Sequence, residues 1–172
     1  MLETRNGPAR ADRLRAGEQV RTLDGGFVAV RDVQRKPLPS GTELITLPAV
    51  SLGTNRPLVL LPGQFVMIES ARALSLWGIP SILVPASGLR GTRGAVAAPS
   101  AAPIYAVRLT FENEELVLAN DGARLYCPAR PGRETCCGDA RGTGETSGAA
   151  GRHAAQRPGP AFGFADLTHA AH

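Results

Sequence analysis

The 172-residue sequence has a single lysine, Lys36, against 18 arginines, and only 5% of its residues are aromatic. Its hydrophobic content of 43% still suffices for a core built mainly from Leu, Val, Ile and Ala. No apolar run approaches the roughly 18 residues that a membrane-spanning helix needs. The first residues also lack the apolar stretch of a secretory signal. We therefore predict a cytoplasmic protein without membrane contact.

Cysteine and histidine are scarce and occur only late in the chain. They are Cys127, Cys136, Cys137, His153, His169 and His172. No C-x-x-C pair or histidine cluster has the spacing of metal ligands, so we predict reduced thiols, no metal and no cofactor. The adjacent pair Cys136 and Cys137 is an alternative reactive site, but no neighbouring basic cluster is present to lower a thiol pKa.

Valine and isoleucine are absent after Val117. Residues 131–172 are rich in Gly, Ala, Arg and Thr, and such a segment buries too little apolar surface to offset chain entropy. The composition predicts a folded domain over residues 1–130 and a disordered tail over 131–172, with a short helix near residues 164–167.

The formal net charge is +4, which raises the possibility of an arginine-rich module for nucleic acid or another anionic partner. The arginines are scattered among acidic residues, however, which favours a solvated surface. The acidic run at residues 112–115 allows a cation site, but a polar turn is the simpler interpretation. We expect a monomer that binds neither nucleic acid nor a membrane, and the sequence names no partner.

The longest apolar run covers residues 58–68 and is interrupted once, by Pro62, Gly63 and Gln64. The four residues on each side are rich in β-formers, which predicts two buried strands joined at a tight break. A functional loop at this break and an ordinary strand connection are both compatible with the pattern.

The remaining pattern is also that of short strands. Asp24, Gly25 and Gly26 predict a hairpin between strands at residues 20–23 and 27–33. Strands at residues 104–111 and 116–119 predict a second hairpin. The Pro- and Gly-rich segments 35–43 and 90–103 predict loops. The layout indicates an all-β domain.

Three segments in order resemble the bacterial Hint (hedgehog/intein) domain family. Residues 14–26, LRAGEQVRTLDGG, are similar to its opening, L-x-x-G-D-x-V-x-T-x-D-G. Residues 50–68 are similar to A-L-G … P-L … L-S-P-x-H-x-V-L-L. Residues 104–122 are similar to Y-x-x-x-x-x-x-x-H-E-V-V-x-A-x-G. The resemblance covers most of residues 1–130 and implies a compact, disc-like β fold of short strands and hairpins.

The resemblance also implies a reaction. A Cys or Ser at the first position of such a domain attacks the preceding carbonyl in an N-to-S or N-to-O acyl shift. A His in the second block assists by proton transfer and by polarising the scissile amide. Water or another nucleophile then resolves the ester or thioester, which gives autoproteolysis or protein splicing.

The sequence departs from the family pattern where the chemistry lies. The nucleophile position falls upstream of Met1, the family Ser falls on Leu61, and the family His falls on Gln64. The His of the third block falls on Glu114, although Glu115 keeps the carboxylate after it. Glutamine is not a general base near neutral pH. We therefore assign no catalytic, cofactor-binding or metal-binding residue.

Three hypotheses follow. The first is a degenerate, non-catalytic remnant of an autoproteolytic domain. The second is an active self-cleaving domain whose nucleophile lies upstream of Met1. The third is an arginine-rich binding module, for which binding to an anionic partner must weaken steeply with salt.

Overall fold

The computed structural model describes residues 1–129 and the backbone of residues 164–166. The strands form two antiparallel sheets. The eight-stranded sheet contains β1 Leu2–Thr4, β2 Gly7–Ala9, β3 Gln19–Thr22, β4 Gly26–Ala29, β8 Phe65–Glu69, β9 Ser81–Pro85, β12 Glu115–Ala119 and β13 Ala123–Cys127. The six-stranded sheet contains β5 Asp32–Leu38, β6 Glu43–Leu47, β7 Leu58–Leu60, β10 Val96–Pro99, β11 Ile104–Thr110 and β14 Phe164–Asp166.

One α-helix is present in the described part of the chain, α1 at Ala71–Trp77, and two 3₁₀ turns lie at Ala11–Arg13 and Ala86–Leu89. The Ser70 hydroxyl caps α1 by accepting a hydrogen bond from the Ala73 amide, and Gly78 ends it in the left-handed conformation. None of these helical segments is long and apolar enough to cross a membrane.

The main core lies between the two sheets. Alternate residues of the central strands enter it from both sides, which is the period of two expected for strands with one buried face. The eight-stranded sheet contributes Val20, Val66, Val117 and Leu125, and the six-stranded sheet contributes Ile45, Leu47, Leu60, Val107 and Leu109. A smaller cluster of Leu44, Leu61, Ile104 and Ala106 forms separately. The all-β prediction is confirmed.

The two strands predicted around the Pro62-Gly63 break exist, but they belong to different sheets. The strand before the break, β7, pairs with β6, and the strand after it, β8, pairs with β9 and β13. The short break therefore carries the chain from one sheet to the other.

The predicted hairpin at residues 24–26 is confirmed, with Val20 opposite Val28. Its second strand ends earlier than expected, at Ala29, because the Arg31 amide donates to the Thr110 carbonyl in the other sheet. The second predicted hairpin is wrong. Its strands separate into the two sheets, since β11 pairs with β5 and β14 while β12 pairs with β1, β3 and β13.

Two predicted loops contain strands. The segment 35–43 holds most of β5, which pairs with β11 over seven residues. Pro37 is tolerated because β5 lies at the edge of its sheet, where a missing amide donor costs no ladder bond. The segment 90–103 holds β10, whose four exposed residues pair with β6. β5 is largely polar and β10 consists mainly of small residues, so neither strand gave an apolar signal in the sequence.

The predicted tail is covered only at residues 164–166. These residues form β14, which pairs with Leu60 of β7 and with Tyr105, Ala106 and Val107 of β11. The short helix expected there is therefore wrong, because main-chain pairing with two strands distant in sequence decides the conformation. The expectation of disorder for the rest of residues 131–172 lies outside the described residues.

Two main-chain segments meet at Gly122. A Cβ atom added there would lie 2.3 Å from the Gly53 carbonyl oxygen and 2.7 Å from that of Leu52. Both glycines belong to the motif segments quoted above. The close approach locks the loop at residues 50–54 against the turn between β12 and β13.

We expect Gly122→Ala to lower the free energy of unfolding by about 1–3 kcal/mol, because a backbone shift is needed to admit the methyl group. Chemical denaturation measures this loss. Gly88→Ala is the matched control, since its added Cβ would lie 3.8 Å from the nearest atom, in Pro85. Equal stability of the two variants would contradict the contact.

Candidate functional site

Gln64, which the motif resemblance places at the family His position, is buried immediately after the break between the sheets, with 2% of its surface exposed. Its side-chain nitrogen donates to the carbonyls of Phe65 and Tyr126, each at 2.9 Å. An amide nitrogen carries two hydrogens, so both donors are used on main-chain oxygens. The Gln64 side chain therefore joins the start of β8 to the end of β13.

Leu61, which the motif resemblance places at the family Ser position, is buried in the smaller apolar cluster with Leu44, Ile104 and Ala106. A hydroxyl in such surroundings would need a partner of its own to offset its desolvation. The leucine satisfies the packing without one. Leu61 thus packs with residues of the six-stranded sheet, whereas Gln64 bonds strands of the eight-stranded sheet.

The acidic residues of the third block do not enclose a cation site. Glu114 is exposed, and Glu115 is partly buried opposite Cys127. Glu112 pairs with Arg31 at 2.6 Å. Within residues 1–129, no group of three or more His, Cys, Asp or Glu side chains is placed to hold a metal.

Cys127 was noted from the sequence only as one of three late thiols, and the structure places it on the strand that Gln64 contacts. It is 3% exposed, at the end of β13. Burial and, to a smaller extent, the Glu115 carboxylate raise the pKa of the Cys127 thiol to about 12, against a lowering contribution from Arg108. The thiol is therefore a protonated, inert core group at neutral pH.

Arg108 brings an unexpected polar atom into this region. Its Nε is buried without a hydrogen-bond partner in the described part of the molecule. Arg108 lies on β11, close enough to Cys127 for its charge to act on the thiol. The polar side chains around this end of the β12–β13 hairpin include those of Gln64, Cys127, Glu115 and Arg108. None of these four is both nucleophilic and ionisable near neutral pH.

The start of the chain is fixed at the other end of that hairpin by Asn120. The Asn120 amide donates to the Met1 carbonyl at 2.9 Å, and its side-chain oxygen accepts from the Met1 nitrogen. The Asn120 side-chain nitrogen donates to the Pro57 carbonyl at 3.1 Å. The main-chain carbonyl of Asn120 accepts from the main-chain amide of Asn55. Asn120 therefore ties β1, residues 55–57 and the β12–β13 turn together.

The sequence pattern identified residues 120–122 as the end of a strand but not this role of Asn120. The available signal was the residue type, because Asn and Asp tolerate positive φ better than other non-glycine residues. Asn120 and Asp121 have φ values of +49° and +66°. The other candidates from the sequence, Cys136, Cys137 and the three histidines, lie outside the described residues.

We expect Gln64→Met to lower the free energy of unfolding by about 1–3 kcal/mol, because two buried carbonyls lose their donor while the volume is kept. Urea denaturation measures the loss. Gln34→Met is the control, since Gln34 is exposed and bonds only Asp32, and it should change stability by less than about 0.5 kcal/mol. A neutral Gln64→Met would show that the two bonds contribute nothing.

The buried thiol gives a second prediction. In a Cys136→Ser/Cys137→Ser variant, Cys127 should resist Ellman's reagent at about pH 8 in the native state and react after unfolding in guanidinium. A pKa near 12, against about 9 when unfolded, leaves about a thousandfold less thiolate. Because only the unfolded thiol ionises just above about pH 9, the free energy of unfolding falls as the pH rises past that value. Rapid labelling of Cys127 while the protein stays folded would contradict the buried, protonated state of this thiol.

The geometry is that of a sheet fold with a tight inter-sheet crossing and no paired nucleophile and base within residues 1–129. A search of curated proteins and a search of solved structures found no significant match. The family model described as Hint domain matches residues 1–124, which is well over half of the chain. The chain therefore belongs to the Hint domain family.

Proposed function

We propose that this Hint domain keeps the fold of a self-cleaving module without its reaction. The observation that carries the proposal is the state of Gln64. The family His transfers a proton and polarises the scissile amide, and both tasks need ring nitrogens that face the reacting bond. The Gln64 nitrogen instead faces two carbonyls of the domain itself.

The chemistry of the amide leads to the same conclusion. A glutamine side chain does not take up a proton near neutral pH, so Gln64 is no substitute for a general base. The first 129 residues contain no histidine that might replace it. Because Gln64 is needed where it is, moving it to contact a substrate would leave two buried carbonyls unpaired.

The thiol inventory of the described residues supports the proposal as well. Cys127 is the one cysteine there, and its raised pKa keeps it protonated. An acyl shift needs a nucleophile activated by a base or by a lowered pKa. Cys127 meets neither condition.

The arginine-rich binding module receives less support. Five arginines of the described residues form ion pairs with carboxylates: Arg10, Arg21, Arg31, Arg90 and Arg124. These pairs compensate the charge of five arginines, and a compensated guanidinium contributes less to counterion release from a nucleic acid. The self-cleaving alternative, with a nucleophile upstream of Met1, is decided by the experiment that follows.

The test is the intact mass of the domain fused behind a small reporter, with the natural in-frame residues upstream of Met1 included. We expect an unbroken fusion, with and without hydroxylamine, which cleaves esters and thioesters. Circular dichroism confirms that the domain is folded. Release of the reporter at the junction would mean that the backbone still rearranges and that Gln64 is not disabling.

Gln64→His in the same fusion is the matched variant. Because an imidazole restores only the base, we expect it alone to leave the fusion unbroken. If the unsubstituted fusion stays intact while Gln64→His cleaves, the loss of the base is the single lesion in an otherwise complete site.

A further inference from the structure

The outward face of the eight-stranded sheet is apolar over four adjacent strands. The pairing register places its side chains in two rows across β12, β13, β8 and β9. The first row is Leu116, Tyr126, Phe65 and Pro85, and the second row is Leu118, Arg124, Met67 and Leu83. We call these eight side chains the outer floor. Seven of them are aliphatic, aromatic, proline or methionine.

The outer floor is separate from the core. Val66 and Leu125, which alternate with its members along β8 and β13, are fully buried on the other side of the sheet. The floor residues themselves are half-buried, and Leu83 is 42% exposed. Phe65 and Tyr126 meet edge to face, with ring centroids 6.5 Å apart. A sheet face of this composition is typical of a protein interaction site.

One end of the outer floor is acidic. A cavity of about 440 Å³ lies there, bounded by Leu83, Leu116 and Tyr126 together with Asp24, Gly25, Glu114 and Glu115. Neither Asp24 nor Glu114 forms an ion pair within residues 1–129. Their charges are therefore available to a cationic group of a ligand.

The other end contains two arginines. A cavity of about 410 Å³ includes Met67, Glu69, Arg93 and Arg124 in its lining. The Arg93 guanidinium donates to the main-chain carbonyls of Ser51 at 3.3 Å and Glu69 at 3.1 Å. These contacts position Arg93 without neutralising its charge. Arg124 contacts the Glu69 carboxylate at 3.4 Å. Because the lining contains two arginines and one glutamate, its net charge is positive.

The backbone at the arginine end is strained. Val50, which lines the cavity, has φ of +67°, a conformation that β-branched residues rarely adopt, and Arg93 has φ of +51°. Val50 is also 83% exposed, so burial does not explain its conformation. Strain of this kind persists where the surrounding structure fixes a functional loop.

We propose that the outer floor binds an extended peptide segment of a partner protein, with a basic residue at the acidic end and a carboxylate at the arginine end. Aliphatic or aromatic side chains lie between them on the floor. The charge pattern excludes a nucleic acid, because phosphates at the acidic end would be repelled. The proposal is independent of whether the domain cleaves itself.

The register also sets the length of the segment. Glu114 and Arg124 lie two rows apart, which is roughly 14 Å at about 3.4 Å per residue. An extended peptide covers that distance between residues i and i+4. Residues i, i+2 and i+4 point to the same side, so the middle one meets the apolar floor.

The probe is the blocked pentapeptide Lys-Ser-Trp-Ser-Glu, titrated into the full chain labelled at its Leu and Met methyl groups. We expect chemical-shift changes at Met67, Leu83, Leu116 and Leu118 and none at the exposed Leu74 of α1. Peptides with Lys at both ends or Glu at both ends should bind about three- to fivefold more weakly, since each loses one exposed ion pair.

Two exposed charges of the protein supply the matched variants. Glu114→Gln should weaken the Lys–Glu peptide but not the Glu–Glu peptide, because it removes a charge that repels a carboxylate at that end. Arg93→Gln should weaken the Lys–Glu peptide but not the Lys–Lys peptide, because it removes a charge that repels an ammonium group. This crossed pattern supports the proposal. The proposal would be overturned if all three peptides bound equally, or if the chemical-shift changes lay away from the outer floor. It would also be overturned if millimolar peptide caused no shifts, as it would if another part of the chain already covered this face.

Discussion

The fold depends on a chain crossing between two sheets within a few residues. The strand that ends at Leu60 belongs to one sheet and the strand that starts at Phe65 belongs to the other. Such a crossing leaves main-chain carbonyls near the core, where an unpaired polar group costs free energy. The buried Gln64 amide meets this need by donating to the Phe65 carbonyl, and it joins the crossing to β13 by donating to the Tyr126 carbonyl.

Under the proposed loss of the reaction, that constraint explains how a structural residue can stand where the motif resemblance places a catalytic base. A base must keep a lone pair toward its substrate, whereas a buried cross-link must use its donors on the protein. A glutamine performs only the second task. Leu61, its neighbour in the motif, also has a structural role, because it packs in the smaller apolar cluster. Both side chains stabilise the crossing, and the proposal is that they stand where the reaction would require a base and a hydroxyl.

The sequence predicted local features well and distant pairings poorly. Apolar β-formers between turn residues located β7 and β8, and Asp24-Gly25-Gly26 located a hairpin, because these signals are local. The partner of β11 lies about 70 residues earlier in the chain, in β5, which the prolines at 37 and 39 made resemble a loop. The motif likewise identified Gln64 and Leu61, but their burial and bonding depend on Tyr126 and Ile104, which no local pattern connects to them.

The period of two along a strand keeps the two faces of the eight-stranded sheet independent. On β13, Leu125 and Cys127 point into the core, whereas Arg124 and Tyr126 point outward beside Met67 and Phe65. Substitutions of residues that face the core therefore leave the outer floor unaltered as long as the strand register is kept. The Gln64 bond to the Tyr126 carbonyl helps to hold that register. Gln64 thus supports, from the core side of the sheet, the register of the outer floor that we propose as a peptide-binding surface.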